Sequence, residues 1–143
     1  ATTIWEHWDG MKDDGSMWSA DMNSFNHYAY GAIGEWMYRA MAGIEADSEH
    51  PGFKHAILYP RIGGNLKYTA GKYHSIYGDV GVKWEVQGKQ ITLTVQIPVN
   101  TTAEIRLDKA KAVLESDGLT FIREADYMAA EAGSGTYHIA FEQ

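Results

Sequence analysis

The sequence predicts a mixed chain: one long, apolar helix followed by an all-β antiparallel sandwich. Three observations carry this. Between Phe25 and Ile44 the apolar residues recur every three or four positions, the spacing of a helix face. After Pro51 the period drops to two, as half-buried strands require. Glycine-containing turns then separate six or seven short strand-like runs, a pattern that suits a sandwich.

Residues 1–23 hold Gly10, Gly15 and an Asp13-Asp14-Gly15-Ser16 turn signal, with Trp and Met in no steady period; they read as irregular. Asn23-Ser24 offers an N-cap. Tyr28, Ala29, Ala32, Ile33, Trp36, Met37, Ala40, Met41 and Ile44 then form a broad apolar stripe, predicting a helix over about Ser24–Ile44, roughly 20 residues long. A helix so apolar expects neighbours on several sides. Glu45–Pro51 is polar and reads as a linker. Val80, Val82, Trp84 and Val86, then Ile91, Leu93, Val95, Ile97 and Val99, alternate with polar residues, glycine or proline around a Gln87-Gly88 turn. That is a hairpin with one apolar face. Ala103, Ile105 and Leu107 continue the alternation, and weaker strands are read at 53–59, 67–74, 119–123 and 136–141.

The 143 residues lack cysteine, so neither disulfides nor a Cys-ligated metal site can form. No apolar run approaches the ~18 residues of a membrane span, and no membrane partner is expected. The net charge of −7 lies entirely in residues 1–50, which hold two basic and nine acidic side chains; residues 51–143 hold ten of each. A phosphate backbone would be repelled by the first third, which argues against nucleic-acid binding. The chain has no initiating Met and opens inside a motif, as expected of a segment of a longer protein.

Tests for a P-loop, an EF-hand and His-Glu-x-x-His all fail on spacing. His7 and His27 with Glu6 or Asp9 match no metal-ligand pattern, and no metal or cofactor is called. Asn100-Thr101-Thr102 has the form of a glycosylation sequon but reads more simply as turn chemistry. Ile4-Trp5-Glu6-His7-Trp8-Asp9-Gly10 is more informative, with two Trp flanking a carboxylate and an imidazole. Flat aromatic faces beside charged acceptors suit a sugar, which offers C–H faces and hydroxyl edges. Taken alone, the segment reads more simply as core Trp5 and Trp8 with Glu6 a surface acid. Asn23-Ser24-Phe25-Asn26-His27-Tyr28-Ala29-Tyr30-Gly31 alone reads as a helix start, with His27 structural and Tyr28 and Tyr30 as packing residues.

Together these two segments closely resemble the C-terminal end of the bacterial α-L-rhamnosidases, glycoside hydrolases with an (α/α)6-barrel catalytic domain. The downstream motifs are similar too: His50-Pro51-Gly52-Phe53-Lys54, Tyr59-Pro60-Arg61, Gly63-Gly64, Tyr77-Gly78, Trp84, Ile97-Pro98-Val99-Asn100-Thr101-Thr102-Ala103 and Gly133-Ser134-Gly135-Thr136-Tyr137. The resemblance covers nearly the whole chain. The sandwich motifs are shared more loosely with other (α/α)6 glycosidases, including α-L-fucosidases.

The resemblance implies that residues 1–50 are the tail of the barrel and residues 51–143 a C-terminal sandwich. It implies inverting hydrolysis of rhamnose-containing glycosides or oligosaccharides by two carboxyl groups, with Glu6 as general base. It places His27 in the rhamnose pocket and Trp5 and Trp8 as its support or wall. His7 departs from the pattern, standing where Arg is frequent. The general acid belongs to earlier barrel text, so the isolated chain is expected to be inactive. Helix 24–44, without its barrel neighbours, is expected to drive self-association or to pack onto the sandwich. Two other readings stand beside this one: a different (α/α)6 glycosidase such as an α-L-fucosidase relative, and a non-catalytic carbohydrate-binding or structural sandwich.

Overall fold

The computed structural model describes residues 2–143. The chain divides into two compact units, Ala1–Trp36 and Met37–Gln143.

The second unit contains ten strands in two sheets. β1 (Ile44–Ala46), β2 (His55–Leu58), β6 (Thr102–Asp108), β9 (Tyr127–Ala132) and β8 (Ile122–Arg123) form one sheet, ordered β1-β2-β6-β9-β8. β3 (Tyr68–Ser75), β4 (Gly78–Gln87), β5 (Gln90–Ile97), β10 (Gly135–Glu142) and β7 (Ala112–Glu115) form the other, ordered β3-β4-β5-β10-β7. Pairing is antiparallel throughout except between β2 and β6, which run parallel. The predicted hairpin is β4–β5, with Gln87 opposite Gln90. Gly88 takes the first central turn position at φ +67, a conformation that two-residue hairpin loops favour and glycine adopts without strain.

One apolar core joins the inner faces of both sheets. Val82, Trp84, Ile91, Leu93, Val95 and Ile105 are all buried in it, as their alternation predicts. Trp84 is the largest fully buried side chain, and its indole N–H donates to the Met41 carbonyl at 2.8 Å. A buried N–H without such an acceptor would lose its bond to water unreplaced.

The helix differs from expectation. Regular α-helix covers only α1 (Ala32–Trp36); a 3₁₀ turn precedes it at Tyr28–Gly31, and a π-helical turn follows at Met37–Ala42. Glycines 31 and 34 weaken helix propensity, and helices this short depend on packing of their apolar face. That face is open at Ile33, Trp36, Met37 and Tyr38. The helical run stops at Gly43, where φ is +74, the usual helix-ending role of glycine. Ile44, the expected end of the helix, and Glu45–Ala46, the start of the expected linker, instead form the edge strand β1 against β2.

Gly43 is fixed by a second constraint. An added Cβ would lie 2.0 Å from the Pro60 nitrogen and 2.3 Å from the Tyr59 carbonyl carbon. Here the Tyr59 N–H donates to the Gly43 carbonyl at 2.7 Å and the Arg61 N–H to that of Ala40 at 2.8 Å. The chain leaving the helical turn is thus clamped to the end of β2.

Two outcomes test this packing. Trp84→Ala should destabilise the sandwich by about 3–5 kcal/mol, read as a lowered urea midpoint. Gly88→Ala, with nothing within 4 Å of the new methyl group, should cost only the left-handed backbone term of about 1–2 kcal/mol. Gly43→Ala should lower the melting temperature well beyond Gly88→Ala, because it adds a backbone collision to the same term; equal melting temperatures would refute the clamp.

Candidate active site

The first unit is built around hydrogen bonds between residues 3–6 and residues 24–27. The Glu6 N–H donates to the Ser24 carbonyl at 2.8 Å, and the His27 N–H donates to the Ile4 carbonyl at 2.8 Å. The Thr3 hydroxyl donates to the Phe25 carbonyl. The Ser24 N–H returns to Glu6, donating to Oε2 at 3.1 Å. Main chain therefore holds the Glu6 side chain through one carboxylate oxygen, and Oε1 has no hydrogen-bond partner among the described residues.

The intervening residues form a tight loop behind this pairing. Met11 bridges Met17, Lys12 N–H donates to the Ser16 carbonyl, and Trp18 N–H donates to the Gly10 carbonyl. Ser16 donates from both its hydroxyl and its N–H to Asp14, holding that carboxyl below its ordinary value. Asn23 Nδ2 donates to the Gly10 carbonyl at 3.2 Å. A Cβ on Gly10 would come within 3.0 Å of the Asn23 side chain. The His7 ring packs on Trp18 with centroids 4.6 Å apart; its Nε2 is buried and has no hydrogen-bond partner among the described residues.

Thr3, Ile4, Trp5, Glu6, Trp8 and Tyr30 line a cavity of about 700 Å³. Its walls are mainly apolar and aromatic, and Glu6 is its one carboxylate among the described residues. This is the composition expected of a pocket that grips C–H faces and works on one polar group.

The four residues singled out from sequence have different fates. Trp5, Glu6 and Trp8 share the cavity. Trp5 is half-buried and meets the Phe25 ring edge-on at 4.8 Å, whereas Trp8 is fully exposed. Neither is a core Trp. His27 is not in the lining. It stands at the N-cap position of the 3₁₀ turn without a side-chain capping bond, and its ring lies 5.3 Å from that of Tyr30, which is in the lining. Tyr30, expected to be a packing residue, is instead an exposed wall of the cavity, together with Thr3 and Ile4. No side-chain pattern signalled this; the 3₁₀ turn Tyr28–Gly31 that carries Tyr30 buries none of its residues. No three His, Asp or Glu side chains converge as a metal site among the described residues.

Comparisons with known proteins bear on the family. Residues 43–120 match the bacterial α-L-rhamnosidase C-terminal domain, and residues 1–41 match the bacterial α-L-rhamnosidase six-hairpin glycosidase domain. An α-L-rhamnosidase of Streptomyces avermitilis is 39% identical over 140 residues, covering 96% of this chain and 13% of that protein. One from Formosa agariphila is 40% identical over 107 residues, covering 75% of this chain and 11% of its own length. The chain thus spans about an eighth of these relatives. The fold is similar to that of the Streptomyces avermitilis α-L-rhamnosidase complexed with L-rhamnose, with TM-score 0.79 and 37% identity over 96% of this chain and 13% of that one. It is also similar to the α-L-rhamnosidase from Dictyoglumus thermophilum, with TM-score 0.78 and 27% identity over 100% of this chain and 16% of that one. With more than half its length matched to the C-terminal domain and its first 41 residues to the six-hairpin domain, the chain belongs to the bacterial α-L-rhamnosidase family as a C-terminal segment.

Proposed function

We propose that this chain is the C-terminal part of an enzyme that releases terminal α-L-rhamnose by inverting hydrolysis, with Glu6 as its general base. One observation carries the reading: a main-chain-anchored Glu6 opens onto an aromatic-walled cavity in the segment matched to the six-hairpin glycosidase domain. In this reading the first part of the chain finishes the catalytic barrel, and the appended sandwich, which takes in β1 (Ile44–Ala46), follows it. Trp5 and Trp8 wall the sugar pocket. His27 orders the pocket through Tyr30 and bonds a sugar hydroxyl.

Inverting hydrolysis needs a water between the base and the sugar, and a protonated carboxyl on the opposite side at ~6.5–9.5 Å from the base. Glu6 Oε1 would take the proton from that water as its oxygen attacks the anomeric carbon. The proton donor for the leaving oxygen must come from outside this cavity, whose lining holds no second carboxyl. The proposed parent barrel supplies it. The open apolar side chains of the helical run, Ile33, Trp36 and Met37 among them, would face the barrel's other helices, and in the isolated chain would drive self-association.

In the longer enzyme, Glu6→Gln keeps the shape of the side chain and the anchoring acceptor but removes the base. The kcat on an aryl α-L-rhamnoside should fall by about 10²–10⁴-fold with little change in binding. Retention of more than about a tenth of wild-type kcat would refute the assignment. His27→Ala should mainly raise KM and lower kcat/KM, measured on the same substrate.

A further inference from the structure

A second cavity, of about 680 Å³, lies in the sandwich unit where β2 ends beside the ends of β6 and β9. It uses the Tyr59-Pro60-Arg61 motif, which the proposed hydrolysis leaves without a task. Two tyrosine rings form its frame: Tyr59 and Tyr127 lie 5.3 Å apart at 56°. The Arg61 guanidinium stacks 3.4 Å over the Tyr59 ring, and that of Arg106 sits 5.0 Å over Tyr127. These contacts hold two planar donor groups in fixed orientation.

Asp108 forms the floor. Its side chain is nine-tenths buried, yet its neighbours sit at long range. Tyr59 Oη and Gln143 Nε2 are each 3.4 Å from it, and Arg61 and Lys109 reach it only at 3.9 Å. Burial pushes the Tyr59 phenol above its ordinary value, so it stays a donor. Lys109 adopts a left-handed backbone at φ +50, unusual for a residue with a side chain. Strain of this kind gathers at binding sites. The cavity thus presents a buried, weakly satisfied acceptor ringed by donors that have not closed on it.

Charge decides which ligand fits. Arg61, Arg106 and Lys109 are balanced by Glu104, which pairs with Arg106, and by Asp108 and Asp126. A phosphate or sulfate would meet carboxylates, and a cation would meet guanidinium groups. A neutral polyol meets neither penalty, because each hydroxyl both donates and accepts. The tyrosine frame adds apolar surface for ring C–H groups. We infer that this cavity is a saccharide-binding site on the sandwich, taking a neutral pyranose through Asp108, Arg61 and Lys109 with Tyr127 as its apolar wall. The choice of a sugar among polyols rests on the glycosidase reading; the cavity itself does not.

The test is a titration of the isotope-labelled 143-residue chain, followed by amide chemical shifts. The probes are L-rhamnose, a rhamnosyl-glucose disaccharide, glycerol and inorganic phosphate. The expected result is saturable shifts at residues 59, 61–63, 106–109 and 126–127 with either sugar. These shifts should persist in Glu6→Gln, which separates this site from the catalytic proposal. Tighter binding of the disaccharide would identify an oligosaccharide chain as the ligand; equal binding would identify the single terminal sugar. Tyr127→Ala and Arg61→Ala should each weaken the shifts roughly tenfold while the thermal melt stays cooperative. No saturable shift with wild type, equal response to glycerol, or response to phosphate alone would overturn the inference.

Discussion

Trp84 cannot be buried unless its indole N–H finds an acceptor, and the acceptor it finds is the carbonyl of Met41, in the last helical turn. That one bond ties the largest side chain of the sandwich core to the end of the helical segment. Gly43 completes the tie, since only a residue without Cβ lets the chain pass against Tyr59 and Pro60. Gly71 extends it: a Cβ there would lie 2.6 Å from that of Ala42, so β3 also lies directly on the helix end. The turn Met37–Ala42 and strand β1 are therefore part of the sandwich unit rather than a tether to it. The glycines that permit this contact are as necessary to the core as the apolar residues that fill it.

The strands that were legible in the sequence are those whose burial alternates. β4 and β5 bury every second residue through most of their length, and their alternation and Gly88 turn announced them. β9 was not legible. Its Tyr-Met-Ala-Ala-Glu-Ala sequence favours a helix, and pairing along β6 overrides that preference. β7 was missed for a related reason, having one half-buried residue and three exposed ones. The long helix was overread because periodicity reports which residues seek burial, not whether a partner is present. With the stripe open at Ile33 and Trp36, the backbone gives regular α-helix only over Ala32–Trp36.

The candidate site was legible in its local part. Trp5, Glu6 and Trp8 lie within four residues, and their chemistry could be read directly. What the sequence did not expose was the support, since main-chain bonds from Ser24 to Glu6 and from His27 to Ile4 join residues about 20 apart. No side-chain pattern marks such bonds. Tyr30 was misjudged because an aromatic residue in a helical stripe is usually core; here the stripe is open. The Tyr59–Tyr127 cavity was invisible for the same reason as β9, because β6, paired with β2 on one side and β9 on the other, brings the two rings together.

An inverting glycosidase places its two carboxyl groups on opposite faces of the sugar, with room for water on one side. Nothing requires both to come from neighbouring sequence. Glu6 is held by a short pairing that closes within the first 27 residues, so its position is set locally. The acid must sit across the sugar, which demands a wall this unit does not contain. The proposed division of labour follows from that geometry. In that proposal the locally folded first unit would hold the base, the barrel would hold the acid opposite, and open apolar side chains such as Ile33 and Trp36 would meet the barrel. The orientation of the proposed base would then depend on main-chain bonds, while its catalytic distance would depend on helix packing. The two can fail separately: loss of the barrel contact would leave Glu6 well oriented and idle.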